Sequence, residues 1–124
     1  MQIEFKNGIP GFEDEKTFIL NDIKDHPGFK SMISTKNDYI GFITVSPFEI
    51  RENYEFNIND EIIEKLEIEK PEDVFVLSMV RVGEYIKDST VNLQAPIIIN
   101  TKNNKATQYI IQNSKYSTRE PIKC

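Results

Sequence analysis

The chain has 124 residues, enough for a single domain at 1–124, and its 20 acidic and 15 basic side chains give a net charge of −5. Direct binding to nucleic acid is not expected, because it needs a basic face that displaces counterions from phosphates and the chain has no Lys/Arg cluster. No apolar run approaches the ~18 residues that span a bilayer, and a polar strand follows Met1 in place of a signal peptide, so a cytoplasmic protein without membrane contact is predicted.

The first half of the chain is predicted to form strands joined by short polar turns. Alternating apolar residues, such as Ile3 and Phe5, direct one face of each strand toward a core. Pro10-Gly11 has the residue order of a type II turn and presents Phe12 from a loop. The predicted strands are 2–6, 17–20, 31–35, 39–45 and 54–58, the last with Tyr54, Phe56 and Ile58 on one face.

One α-helix is predicted, over residues 59–66. Asn59 is a suitable N-cap, and Asp60 and Glu61 lie where the helix dipole favours negative charge. The apolar stripe of this helix is short, so we expect the helix to cover a sheet and not to join a helical bundle.

The second half begins with the most hydrophobic run, 74–82, which predicts a central strand covered on both faces. Residues 90–95 alternate, and Pro96 interrupts the ladder because it has no amide hydrogen. The β-branched run 97–99 predicts a buried strand. The remaining predicted segments are a hairpin loop at 101–105, a strand at 106–112 and a polar C-terminal tail at about 115–124 that packs only through Tyr116.

Eight or nine short strands and one helix indicate a mainly β fold. We predict a compact, antiparallel, barrel-like domain with one short helix packed on it, and a β-sandwich stays open as the alternative. A βαβ fold would need several crossover helices, and the sequence predicts none of them.

The sequence offers little material for catalysis or metal binding. Cys124, the only cysteine, is the last residue, so we expect a frayed thiol that dimerises only on oxidation and no multi-cysteine metal site. His26, the only histidine, lies in a polar loop and is expected to be exposed. No G-x-S-x-G, G-x-G-x-x-G or P-loop pattern occurs. We therefore predict no enzyme, no cofactor and no metal, although carboxylate pairs within 13–15 or 60–61 stay open.

Several segments resemble the FliW family of flagellar assembly factors. TVNLQAPIIIN (90–100) and ATQYIIQNSKYSTREP (106–121) resemble the family's C-terminal half. IEFKNGIPGFEDEKTFIL (3–20) resembles its opening segment and SPFEIRENYEF (46–56) its middle, in the family's order. The resemblance implies a compact, β-rich, barrel-like domain that is not an enzyme.

The resemblance also implies two partners that bind in turn. One is the C-terminal segment of flagellin, which is disordered before assembly. The other is the CsrA homodimer, a small basic protein that represses translation of flagellin mRNA, and its capture relieves that repression. The expected function is therefore non-catalytic antagonism of CsrA by a protein that is monomeric when free. The alternatives are a flagellin-specific chaperone without CsrA binding, and a small β-barrel enzyme or ligand-binding domain.

Three segments are able to present apolar groups to a partner: 9–12, 47–54 and 90–96. An interrupted edge strand has unpaired backbone groups that accept an added strand. Core packing explains most of these apolar residues equally well, and Asn92 and Asn100 can instead satisfy backbone groups at strand ends. The candidate contacts are a patch of Pro47, Phe48 and Tyr54 and an edge of Thr90, Asn92 and Pro96.

Overall fold

The structure, a computed structural model, describes residues 1–112 and 114–122, so the predicted frayed thiol of Cys124 lies outside the described residues. The described chain forms nine strands and two short α-helices. The strands are β1 (Gln2–Phe5), β2 (Thr17–Asp22), β3 (Phe29–Ser34), β4 (Gly41–Val45), β5 (Val74–Arg81), β6 (Thr90–Val91), β7 (Ile97–Asn100), β8 (Lys105–Gln108) and β9 (Glu120–Pro121). The helices are α1 (Pro47–Ile50) and α2 (Asp60–Lys65).

Seven of the strands close into a barrel in the order β1-β2-β3-β4-β5-β7-β8. Pairing between β4 and β5 closes one side, and β1 and β8 close the other. The β1–β8 contact is parallel and short, with Glu4 opposite Lys105 and Phe5 opposite Ala106. All other strand pairs are antiparallel, so the predicted antiparallel barrel is confirmed and the sandwich alternative is wrong.

The barrel interior is a packed apolar core. Ile3 and Phe5 are buried, as the alternation in β1 predicts, and the Phe5 ring lies edge-on to Phe18 with centroids 5.6 Å apart. Because strands of period two direct alternate side chains to opposite faces, each strand contributes every second residue to this core. Its buried members are Ile3, Phe5, Ile9, Phe18, Leu20, Met32, Leu77, Ile97, Ile99 and Ala106.

The long strand β5 is covered on both faces, as predicted. Leu77 packs in the barrel interior, whereas Val80 packs on a second cluster outside the barrel. We call the cover on this second side the outer layer, which consists of α1, residues 51–58 and residues 114–122. The buried residues of the second cluster are Val45, Tyr54, Val91, Leu93, Tyr116 and Ile122.

One prediction for the outer layer is wrong, and one helix in it was not predicted. Residues 54–58 alternate between inward and outward side chains but form no strand ladder, because the amide of Glu55 donates to the Tyr116 hydroxyl (2.9 Å) and not to a neighbouring strand. Residues 47–50 form the helix that the sequence did not predict. Pro47 fits there because the first helical position needs no amide hydrogen.

The C-terminal tail packs through more than Tyr116, which corrects the prediction for 115–124. Strand β9 pairs with β6, and Ile122 is buried. The Leu93 amide donates to the carbonyl of Ser117 at 3.0 Å. The described part of the tail is therefore a component of the outer layer.

The stretch 90–100 runs along β5 as two strands with a break. Strand β6 ends at Val91, and the Asn92 side chain accepts from the amides of Gln94 and Ala95, both at 3.1 Å. Strand β8 ends at Gln108 and does not reach 112, since Pro96 accepts from the Tyr109 amide but has no amide hydrogen to return.

The helix predicted at 59–66 is confirmed as α2. The Asn59 side chain accepts from the Ile62 amide at 2.9 Å, which is the expected N-cap. Beyond the helix, Asn100 of β7 donates to the carbonyls of Leu66 (2.8 Å) and Glu67 (3.1 Å). Asn100 therefore holds the end of α2 against the barrel. Within the described residues, no helix has both the length and the apolar character needed to cross a bilayer.

Candidate interaction surface

The carboxylates that sequence leaves open as a catalytic pair have structural or surface roles. Glu15 is buried and accepts from the Ser34 hydroxyl at 2.8 Å, at the end of the β3–β4 hairpin. Glu13 accepts from the Gly11 amide at 3.0 Å, a hydrogen bond that lowers the pKa of Glu13. Asp60 and Glu61 are exposed on α2. Among the described residues, no group of three or more acidic, histidine or cysteine side chains is placed to hold a metal ion.

Of the predicted patch, only Phe48 is accessible. Phe48 is 49% exposed, while Pro47 is buried and Tyr54 is only 4% exposed. The Tyr54 hydroxyl donates to the Leu93 carbonyl at 2.8 Å, and its ring lies edge-on to Phe48 with centroids 5.5 Å apart. Burial, and then the neighbouring Tyr116, raise the pKa of Tyr54. Tyr54 therefore anchors the outer layer, and its buried ring packs against the half-exposed ring of Phe48.

The predicted edge at Thr90, Asn92 and Pro96 is not an open strand edge. Thr90 lies between Arg81 of β5 and Pro121 of β9. The Asn92 amide donates to the Met79 carbonyl at 3.0 Å, and Pro96 is buried. Because these backbone groups already form hydrogen bonds within the protein, they are not free to pair with an added strand from another protein. The sequence analysis did not predict β9, which is a strand of only two residues.

The third predicted segment, 9–12, presents one aromatic ring. Ile9 is buried in the barrel core, and Gly11 has a φ of +88°, as a type II turn requires. Phe12 is 41% exposed and lies edge-on to Phe42 at 5.5 Å. This ring closes one end of the core and leaves part of its face in solvent.

An apolar groove that the sequence did not predict lies between the β2–β3 turn and the ends of β4 and β5. Five separate segments of the chain contribute to it, so no local pattern in the sequence could indicate it. His26 is exposed, as predicted, and stands at this groove beside Phe29. The lining residues are Ile23, His26, Phe29, Ile43, Val80, Val82, Ser89 and Ile122.

One stretch of the chain, from α1 into α2, differs from the rest of the chain in charge. Residues 47–64, which we call the acidic segment, contain six acidic side chains and one basic side chain, so they carry a net charge of −5 and the rest of the chain sums to zero. All six carboxylates are exposed. A charge count along the sequence could have found this segment. The acidic residues are Glu49, Glu52, Glu55, Asp60, Glu61 and Glu64.

Comparisons with known proteins give one family. The family model described as FliW protein matches residues 1–122. The flagellar assembly factor FliW of Clostridioides difficile (strain 630) is 47% identical over 122 residues, which cover 98% of this chain and 94% of that protein. The protein of the same name from Bacillus subtilis (strain 168) is 39% identical over 120 residues, 97% of this chain and 84% of that protein.

A solved structure has the same fold. The crystal structure of a flagellar assembly factor FliW superposes with a TM-score of 0.91 at 33% identity and covers 97% of this chain and 84% of that one. These three proteins are all named as assembly factors and not as enzymes, which agrees with the prediction that the chain is not an enzyme. By sequence and by fold, the chain belongs to the FliW family of flagellar assembly factors.

Proposed function

We propose that this flagellar assembly factor acts in the cytoplasm by binding two proteins in turn. One is the C-terminal segment of flagellin, and the other is the CsrA homodimer, whose repression of flagellin mRNA translation the binding relieves. The observation that supports the proposal is the family match over residues 1–122. The net charge of −5 also supports the proposal, since an acidic protein attracts a basic partner and repels RNA.

The proposed regulation is a linkage between two binding equilibria. If flagellin and CsrA cannot occupy the protein together, each raises the apparent dissociation constant of the other. A flagellin segment that becomes ordered on binding gives up part of its affinity to the entropy of ordering, and it stays available before assembly. Accumulating flagellin then frees CsrA, and repression resumes.

The structure is compatible with a role exerted through the surface. Large apolar side chains fill the barrel interior, so that space is not free for a substrate. Exposed apolar groups lie at separate places, at Phe48 on α1 and along the groove at Val82. These are candidate contact regions, and the proposal does not assign either partner to the groove.

Competition between purified proteins tests the proposed function. We expect labelled CsrA to bind the free monomer of 14.4 kDa, and unlabelled flagellin to displace it completely. The apparent dissociation constant for CsrA should rise in proportion to flagellin concentration once flagellin exceeds its own dissociation constant.

Two results would contradict this proposal. Binding of flagellin without any binding of CsrA, even at low salt, would indicate a flagellin-specific chaperone instead. A ternary complex that holds both partners at saturating concentrations would show that their binding is not mutually exclusive. A flagellin variant without its C-terminal segment is the matched control and should not displace CsrA.

A further inference from the structure

Strand β8 has an open edge beyond its short pairing with β1. The two strands pair only at Lys105 and Ala106 of β8, and the chain of β1 then turns away, since the Gly8 amide donates to the Phe5 carbonyl at 2.9 Å. Past Ala106, none of the described strands pairs with this side of β8. We call residues 108–111 on this side the β8 edge.

The chain stays extended along the β8 edge, with hydrogen bonds on its opposite side. The amides of Tyr109 and Ile111 donate to carbonyls within 94–96, at 2.8 and 2.9 Å. Because bonded residues alternate in an antiparallel pair, Gln108 and Ile110 direct their backbone groups to the open side. Among the described residues, the amide and the carbonyl of Ile110 form no hydrogen bond, and its side chain is 58% exposed.

The sequence of this region lacks the features that protect an exposed edge from pairing. Proteins block such edges with charged side chains, prolines or a covering segment. Residues 106–112 (ATQYIIQ) contain no charge and no proline, and four of the seven are the strong β-formers Thr, Tyr and Ile. Strand β9, the last strand of the sheet, has both protections, since it consists of Glu120 and Pro121. The β8 edge has therefore kept the ability to pair.

Both faces of the β8 edge present large side chains beside the open backbone groups. On one face, the Tyr109 ring lies near Phe56, with centroids 6.2 Å apart, at a groove that Ile111 also lines. Successive side chains of an extended chain alternate, so the exposed Ile110 points to the other face. These aromatic and aliphatic groups select apolar residues in any strand that is added here.

We infer that the β8 edge binds an extended peptide segment, which adds to the sheet as a further strand. Gln108 and Ile110 together offer two amides and two carbonyls, so up to about four backbone hydrogen bonds form. The peptide is unfolded beforehand, since a folded chain has already paired its backbone groups. This inference rests on the proposed function, in which the C-terminal segment of flagellin is disordered before assembly and is therefore a partner of this kind.

A proline substitution in the β8 edge tests the backbone contact. Ile110→Pro removes an amide that donates to no described residue, and proline favours an extended conformation in the residue before it, so the fold should persist. Isothermal titration with a synthetic peptide of the flagellin C-terminal segment should show a dissociation constant at least about tenfold higher.

The matched control is Ile110→Thr, which keeps both the amide and a β-branched side chain. The dissociation constant of the same peptide should change by less than about threefold, because backbone hydrogen bonds supply most of the affinity in strand addition. Equal weakening in both variants, or weakening in neither, would overturn the inference.

A second measurement uses the native protein and stays informative if the proline variant misfolds. Two versions of the flagellin peptide carry N-methyl groups on alternate residues, in opposite registers. Because only every second residue of a strand faces a given edge, one version should bind like the unmodified peptide and the other should lose binding. Equal binding of the two versions would overturn strand addition.

The result is separable from the proposed function. If the native protein does not bind the flagellin peptide, the proposed function fails before the variants are compared. If the native protein and Ile110→Pro bind it equally well, the function stands and the β8 edge is not the site. Self-association of the native chain that Ile110→Pro abolishes would assign the edge to a second copy of the chain, and would overturn the inference.

Discussion

The barrel and the outer layer are stabilised by different interactions. Backbone ladders join the seven strands of the barrel to one another, and the core inside them is formed by apolar side chains. In the outer layer, side chains bond to backbone groups across long separations in sequence, as Tyr54 does to Leu93 and Tyr116 to Glu55. The outer layer also has an apolar cluster of its own and the short β6–β9 ladder, so the individual side-chain bonds add to a smaller core and not to an extended sheet.

Unsatisfied polar groups occur at the junction between these regions. The hydroxyls of Ser78 on β5 and Thr90 on β6 are buried and have no hydrogen-bond partner among the described residues. A buried polar group without a partner costs about 1–3 kcal/mol. The barrel interior is almost entirely apolar by contrast, so we expect the outer layer to open at a lower free energy than the barrel.

The largest expected effect comes from the barrel core. Phe18→Ala removes a fully buried ring that packs on Phe5, and we expect it to lower the free energy of unfolding by about 3–5 kcal/mol. Urea denaturation measures this. The neighbouring Ile19→Ala, where the side chain faces outward and is 38% exposed, is the control and should cost about 1 kcal/mol or less. Similar losses in both variants would contradict the inward and outward assignment of β2.

A smaller, local effect is expected in the outer layer. Tyr54→Phe keeps the ring but removes the donor to the Leu93 carbonyl, which should cost about 1–2 kcal/mol. Native-state hydrogen exchange should show faster exchange at the Leu93 amide, which the tail protects, and unchanged exchange in β2 and β3. Phe48→Ala, at a half-exposed ring, is the control and should change stability by about 0.5 kcal/mol or less.

Alkaline pH should change the contribution of the Tyr54 hydroxyl to the stability of the outer layer. Burial raises the pKa of Tyr54 above its ordinary value of 10.0, so the unfolded chain loses this proton at a lower pH than the folded protein does. The contribution of Tyr54 to stability is therefore complete below pH 10 and falls as pH rises above it. The stability difference between the native protein and Tyr54→Phe should narrow above pH 10, and a difference that widens there would contradict the buried, neutral hydroxyl.

The two regions were not equally predictable from sequence. The barrel strands follow from local alternation, as in β1, and the Asn59 cap locates the start of α2 correctly. The segment 54–58 has the same alternation without a ladder, because alternation reports which side chains are buried and not what the backbone bonds to. The two-residue strand β9 has no pattern long enough to detect, so its pairing with β6 became visible only in the structure.

The sequence predicted only part of the candidate site, because it does not show which apolar side chains are buried. Phe48 was named from sequence and is exposed, whereas Tyr54 and Pro96 of the same predictions are buried. Aromatic residues near a turn carry no sign of whether they cap a core or face solvent. Charge is different, since an exposed carboxylate is the default, and the acidic segment could have been identified by counting.

The central claim is that the barrel is a scaffold and that the outer layer is a less stable cover on it. Native-state amide hydrogen exchange of the full chain tests this most directly. We predict that the amides of Glu55 and Leu93, which are bonded within the outer layer, exchange at a lower opening free energy than the amides of β2 and β3. A single opening free energy shared by all of these amides would contradict the account.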